Sequence, residues 1–99
     1  MGKNLLETVG QLDAKFLEKV VQDRDSAFQE GVLPRKTKYL IAMALDAAHG
    51  ASGGVASLAR QALQHGAAKE EIVETLRIAY YISGVGSVYT ASVGLEDIL

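Results

Sequence analysis

Residues 33–50, LPRKTKYLIAMALDAAHG, are followed at once by residues 51–66, ASGGVASLARQALQHG, two helix-length pieces that each end in His-Gly. Pro34 stands where the first turn of a helix tolerates a missing N–H, and Leu40, Ile41, Met43, Ala44, Leu45 and Ala48 carry apolar surface up to His49-Gly50. The second half of that helix is apolar on nearly every side. A short helix, rich in small residues, is then expected from about Gly54 to His65, with Val55, Leu58, Ala59, Ala62 and Leu63 on one face and Gly66 as its stop.

The same punctuation extends outward in both directions. Leu12, Phe16, Leu17, Val20 and Val21 recur at three and four residues, opposite Asp13, Lys15, Glu18, Lys19 and Asp23, which predicts a first amphipathic helix over roughly 11–29. Downstream, Lys69-Glu70-Glu71 places acids in the first turn of a helix that runs to about Ser83 through Ile72, Val73, Leu76, Ala79, Tyr80 and Ile82. After Gly84-Val85-Gly86, Ser87 is the expected N-cap of a last helix that continues through Val88, Ala91 and Val93 towards Leu99. No segment alternates as a strand does. The expectation is an all-α bundle of about five helices, a single domain over 1–99.

Composition narrows the function classes. Twelve acids and ten bases are scattered along 99 residues, so no basic stripe exists to neutralise phosphates, and a nucleic-acid role is not expected. The chain has no Cys, which rules out disulfides, thiolate metal sites and a peroxidatic thiol. The opening MGKNLLETVG has no apolar signal-like run, and the stretch from Leu40 to Ala48 is interrupted by Asp46 well short of the ~18 residues that a membrane span needs. A soluble cytoplasmic protein without membrane association is the expectation. The second, fourth and fifth helices carry more apolar surface than one small domain covers, which predicts self-association. Ala42, Ala44, Ala47, Ala79, Gly84, Ser87 and Ala91 are the small residues expected to let helices approach closely there.

Few residues offer chemistry. His49 and His65 each precede a Gly at a predicted helix end, where they read as cations facing exposed carbonyls; no metal site is expected. GASGG resembles a phosphate loop only loosely, without a GK[ST] ending or a preceding strand. Ser52 and Ser57 lack a base at a recognisable elbow, so a serine hydrolase is not supported. Tyr80, Tyr81 and Tyr89 are read as core, with pocket lining as the alternative. Arg35, Lys36 and Lys38 are read as a solvated face.

Taken together, Lys36-Thr37, Gly50, Arg60, Ala62-Leu63, Gly66, Glu70-Glu71-Ile72 and Glu74 occur at offsets that resemble the carboxymuconolactone decarboxylase and alkylhydroperoxidase-D superfamily. The peroxidase branch of that superfamily carries a Glu, a Cys-x-x-Cys and a His, and Tyr39, Ala51, Gly54 and Leu58 stand at those positions. None of the four matches, so thiol peroxidase chemistry does not transfer. The decarboxylase branch does without the Cys pair, and its LPRxTxxL lead-in is close to residues 33–40, although Leu58 stands where that branch tends to place a His. The resemblance implies an alkylhydroperoxidase-D-like helical bundle assembling as a homotrimer or homohexamer, with its site at subunit contacts.

The function expected on this basis is binding, or transformation, of a small organic carboxylate in a remodelled pocket, without a cofactor. Tyr39, Ser52, Gly53 and Arg60 are the expected lining, and His49 the acid or base, because imidazole ordinarily titrates near neutrality. Any enzyme activity would be lyase-like rather than peroxidatic. The alternative is a catalytically silent oligomeric binding or scaffold subunit.

Overall fold

The computed structural model describes residues 6–98, all helix and turn. Six helices follow in order: α1 (Glu7–Leu12), α2 (Ala14–Ala27), α3 (Arg35–Ala48), α4 (Ser52–Gln64), α5 (Lys69–Ser83) and α6 (Gly86–Leu95). The expected first helix is two. Asp13 adopts an extended conformation, and its carboxylate accepts the Phe16 N–H at 3.1 Å, so it caps α2 and breaks the chain from α1. The last helix also starts earlier than expected. Val85 is its N-cap, and Ser87 lies inside it, buried, with Oγ donating to the Gly84 carbonyl at 2.7 Å. Leu99, towards which that helix was expected to run, lies outside the described residues.

The core follows from helical periodicity. Met43 and Ala47 of α3, Val55, Ala59 and Ala62 of α4, Ile72 and Ala79 of α5, and Ser87, Ala91 and Leu95 of α6 are the buried helical positions, joined by Ala67 between α4 and α5. Their spacing of three or four residues (seven on α5) puts one stripe of each helix inward. The α3–α4 hairpin is the centre, with α5 against α3 and α6 against α4, α5 and α3. Ala47, Ala79, Ser87 and Ala91 therefore serve close helix packing within the protomer rather than a contact between subunits.

Local chemistry ends the central helices. Gly50, at φ +82°, lets the Ala51 N–H reach back to the Asp46 carbonyl at 2.8 Å and the Gly50 N–H reach that of Ala47. This satisfies carbonyls that α3 would otherwise leave unpaired. The end of α4 repeats the arrangement at Gly66, with Ala67 N–H on the Ala62 carbonyl at 2.9 Å. At the start of α5, Ala68 has no side-chain acceptor, so only Glu71 acts, accepting the Ala68 N–H at 2.8 Å.

Glu71 also ties α5 to α3 through Lys36 Nζ at 3.0 Å. The Ala68 N–H, first, and then Lys36 hold its carboxyl below the ordinary value of 4.5. A carboxylate whose folded value is depressed stabilises the fold fully above its unfolded value and loses that contribution as pH falls through the folded value. Acid titration of unfolding should therefore show stability falling below about pH 4.5, with a shallower acid limb in Glu71→Gln. An unchanged acid limb in that variant would remove Glu71 from the explanation.

The α1–α2 arm is different. Neither helix contains a buried residue, and α1 packs on α2. The arm meets the bundle at its end, where Phe28 stacks on Tyr39 and Lys38 Nζ donates to the Gln29 carbonyl at 2.6 Å. The radius of gyration, 14.1 Å, exceeds the ~12.6 Å expected for a compact chain of this length.

Candidate functional site

A cleft of about 240 Å³ has its lining on the end of α2, on α3 and on α4. It is lined by Arg24, Asp25 and Phe28 from the end of α2, Tyr39 from α3, and Ser57, Leu58 and Gln61 from α4. A larger depression of about 380 Å³ is lined by Lys69, Glu70, Val73, Glu74 and Arg77, all from α5. It is a groove along one helix face and converges no groups from different elements, so the smaller cleft is the better candidate.

Each wall has a local cause. Helical spacing puts Ser57, Gln61 and His65 four residues apart, on a different side of α4 from the buried Val55, Ala59 and Ala62. Phe28, the C-cap of α2, packs its ring on Tyr39 with centroids 4.7 Å apart and planes 14° apart. The Tyr39 ring also meets the His65 ring at 5.1 Å, tilted by 35°. His65 Nδ1 lies 2.9 Å from the Gln61 carbonyl oxygen. A carbonyl only accepts, so that nitrogen carries the proton and Nε2 has no protein partner among the described residues.

The polar groups of the cleft are available. Arg24 Nε approaches Asp25 at 3.4 Å, an exposed pair of little energetic weight, and the terminal guanidinium nitrogens have no partner among the described residues. The side chains of Ser57 and Gln61 likewise make no hydrogen bond to other described residues. The arrangement offers a fork of donors, a hydroxyl and an amide above walls of Phe28, Tyr39 and Leu58.

Of the residues expected from sequence, only Tyr39 lines this cleft. His49 is the exposed C-cap of α3, ten residues from Tyr39 and so about 15 Å along the helix axis. Ser52 opens α4, with its carbonyl facing Gly94 of α6. Gly53 is exposed with nothing within 4 Å of where a Cβ would stand. Arg60 is exposed on α4 and does not line the cleft. Tyr80, Tyr81 and Tyr89 are neither core nor cleft; all three are more than half exposed.

Residues the sequence reading passed over complete the picture. Arg24, Asp25, Phe28 and Gln61 were not singled out, and Ser57 was considered only as a nucleophile. The four-residue spacing of Ser57, Gln61 and His65 was the available signal. Asp46 was considered only as an interruption of an apolar run. Its carboxylate lies against Gly54, so a side chain at position 54 would overlap it. The place where the peroxidase pattern has its second Cys is thus taken by a carboxylate from α3. Among the described residues, no group of three or more His, Cys, Asp and Glu gathers as a metal site would, and no helix is long and apolar enough to cross a membrane.

Comparison with known proteins agrees with this architecture. Residues 9–94 match the model of the carboxymuconolactone decarboxylase family. No curated protein matches the chain. Among solved structures, the apo form of a carboxymuconolactone decarboxylase family protein from Legionella pneumophila superposes with a TM-score of 0.84 at 31% identity, covering 92% of this chain and 81% of that one. With the family pattern spanning residues 9–94 and the fold shared over 92% of its length, the chain belongs to the carboxymuconolactone decarboxylase family.

Proposed function

We propose that this chain is a family member without thiol chemistry that binds a small organic carboxylate in the Tyr39 cleft. The observation that carries the reading is that Arg24, Ser57 and Gln61, whose terminal guanidinium, hydroxyl and amide groups have no partner among the described residues, line one cleft together with Phe28, Tyr39 and Leu58. A guanidinium fork matches a carboxylate with two parallel hydrogen bonds, and apolar walls hold the carbon body. At about 240 Å³ the cleft lies below the usual range for drug-sized ligands, which favours a small acid. His49, Ser52 and Gly53 form a second polar group at the α3–α4 turn, which the same experiment separates from the cleft.

Calorimetry with benzoate and its neutral counterpart benzamide tests the reading. Arg24→Gln should weaken benzoate about tenfold or more, the scale of a hydrogen bond to a charged group, and leave benzamide little changed. Ser57→Leu, which fills the cleft, should weaken both. If Gly53→Val abolishes binding while Arg24→Gln does not, the ligand belongs at the α3–α4 turn. Failure of the parent to bind any of a panel of small carboxylates would sink the proposal and favour a silent scaffold.

Assembly is the second part of the proposal, as a homotrimer or homohexamer. Residues 78–95 contain no charged side chain. Ile78, Tyr81, Ile82, Val85, Tyr89 and Val93 are all more than half exposed and present on the order of 900 Å², close to one side of a standard interface. The α1–α2 arm adds Leu12 and Phe16, both more than half exposed, and a 14-residue helix without buried contacts is marginal by itself. Light scattering at low micromolar concentration should report a trimer or hexamer, and Ile82→Asp should shift it towards monomer. A parent that is monomeric and unfolds cooperatively contradicts this part.

A further inference from the structure

The geometry points to His65 as a positioning residue for the cleft: when protonated, it acts through the Tyr39 ring to tighten the hold on a carboxylate. This rests on the carboxylate reading above and adds a regulation that reading does not contain. The two rings lie 5.1 Å apart, within the range at which a cation attracts an aromatic face. The Gln61 carbonyl orients the imidazole through Nδ1–H, so the proton is gained or lost at Nε2. An imidazolium on the Tyr39 ring withdraws electron density from it, which makes the phenol a stronger donor to an anion in the cleft.

From α3 the facing titratable group is Tyr39, and from α2 the charged groups at the cleft are Arg24 and Asp25. Lys36 and Lys38, flanking Tyr39 on α3, are engaged by Glu71 and by the Gln29 carbonyl. Arg60 is the nearest charged residue before His65 on α4, and Lys69 the nearest after it, at the start of α5. Tyr, Arg, Lys and Asp ordinarily titrate far from neutrality. The chain contains two histidines, and the other, His49, lies at the far end of α3.

Two measurements test the inference separately from the carboxylate reading. In the ligand-free protein with ring-labelled Tyr, the Tyr39 NMR signals should shift together with those of His65 between about pH 8 and about pH 5.5. In His65→Gln they should stay flat. Silent Tyr39 signals, or an unchanged shift in His65→Gln, overturn the inference whatever the ligand does. In calorimetry, benzoate should bind about three- to tenfold more tightly at the lower pH, the scale of one added charge near a protein surface, with benzamide unaffected. His65→Gln should abolish the pH dependence, His49→Gln should keep it, and His65→Arg should give tight binding at both pH values. Equal parent affinities at both pH values overturn the inference. Absence of benzoate binding at either pH, with Tyr39 still following His65, overturns the carboxylate reading and with it the regulation, while supporting the coupling of the two rings.

Discussion

Ile72→Ala is expected to lower the unfolding free energy by about 3–4 kcal/mol, because it removes three carbons from a closed site that relaxes only in part. Ile72 is fully buried, among the largest such side chains, and packs in the cluster of Met43, Ala47, Val55, Ala59, Ala91 and Leu95. A domain of this size ordinarily holds about 5–15 kcal/mol in all, so the variant should keep only a fraction of its stability. At about 4–8 °C per kcal/mol, the melting temperature should fall by roughly 15–25 °C at fixed protein concentration. The adjacent Val73 is 44% exposed, and Val73→Ala should cost less than about 0.5 kcal/mol because Ala is the better helix former. Similar losses in the two variants would show that α5 does not anchor the core through Ile72.

Gly94→Val should be comparably severe for a different reason. A Cβ at position 94 would stand 2.5 Å from the Ser52 carbonyl oxygen and 3.0 Å from the Val55 Cβ, so α6 would have to lift from the first turn of α4. Overpacking against a backbone atom has no side-chain rotamer to relieve it, and a loss of about 3 kcal/mol is expected. Gly94→Ala sets a gain of up to ~1 kcal/mol in helix propensity against the same overlap and should still come out destabilising. At Gly53, where nothing lies within 4 Å, Ala should be neutral or mildly stabilising. Urea unfolding of the three variants checks this. A Gly94→Ala protein more stable than the parent would mean that the α4–α6 contact is looser than its geometry states.

The helix ends at His49-Gly50 and His65-Gly66 were legible because the information is local: each end needs a residue free to adopt positive φ, and Gly supplies it. The break at Asp13 was equally local and was overlooked, since the apolar stripe of Leu12, Phe16 and Leu17 runs across it without losing register. Ser87 shows the opposite failure. Its residue type suits an N-cap, but the packing of α6 on α4 and α5 makes it the second residue of the helix and turns its hydroxyl onto the Gly84 carbonyl.

The candidate site divides in the same way. Tyr39 was reached from its place in a family pattern, whereas its neighbours Phe28 and His65 come from α2 and α4, far apart in the chain. Periodicity ranks the faces of each helix but carries nothing about which helix another one meets, or at what angle. For that reason Ala47, Ala79, Ser87 and Ala91 could be recognised as residues for close approach, while only packing assigned them to the protomer interior. By itself the sequence determined the helices, most of their ends, the family framework and the absence of a thiol, because these depend on residue type and short-range spacing. Packing was needed to bring Phe28, at the end of α2, onto Tyr39, to put Asp46 in the space above Gly54, and to set His65 rather than His49 against the Tyr39 ring, because those contacts depend on how helices distant in sequence cross.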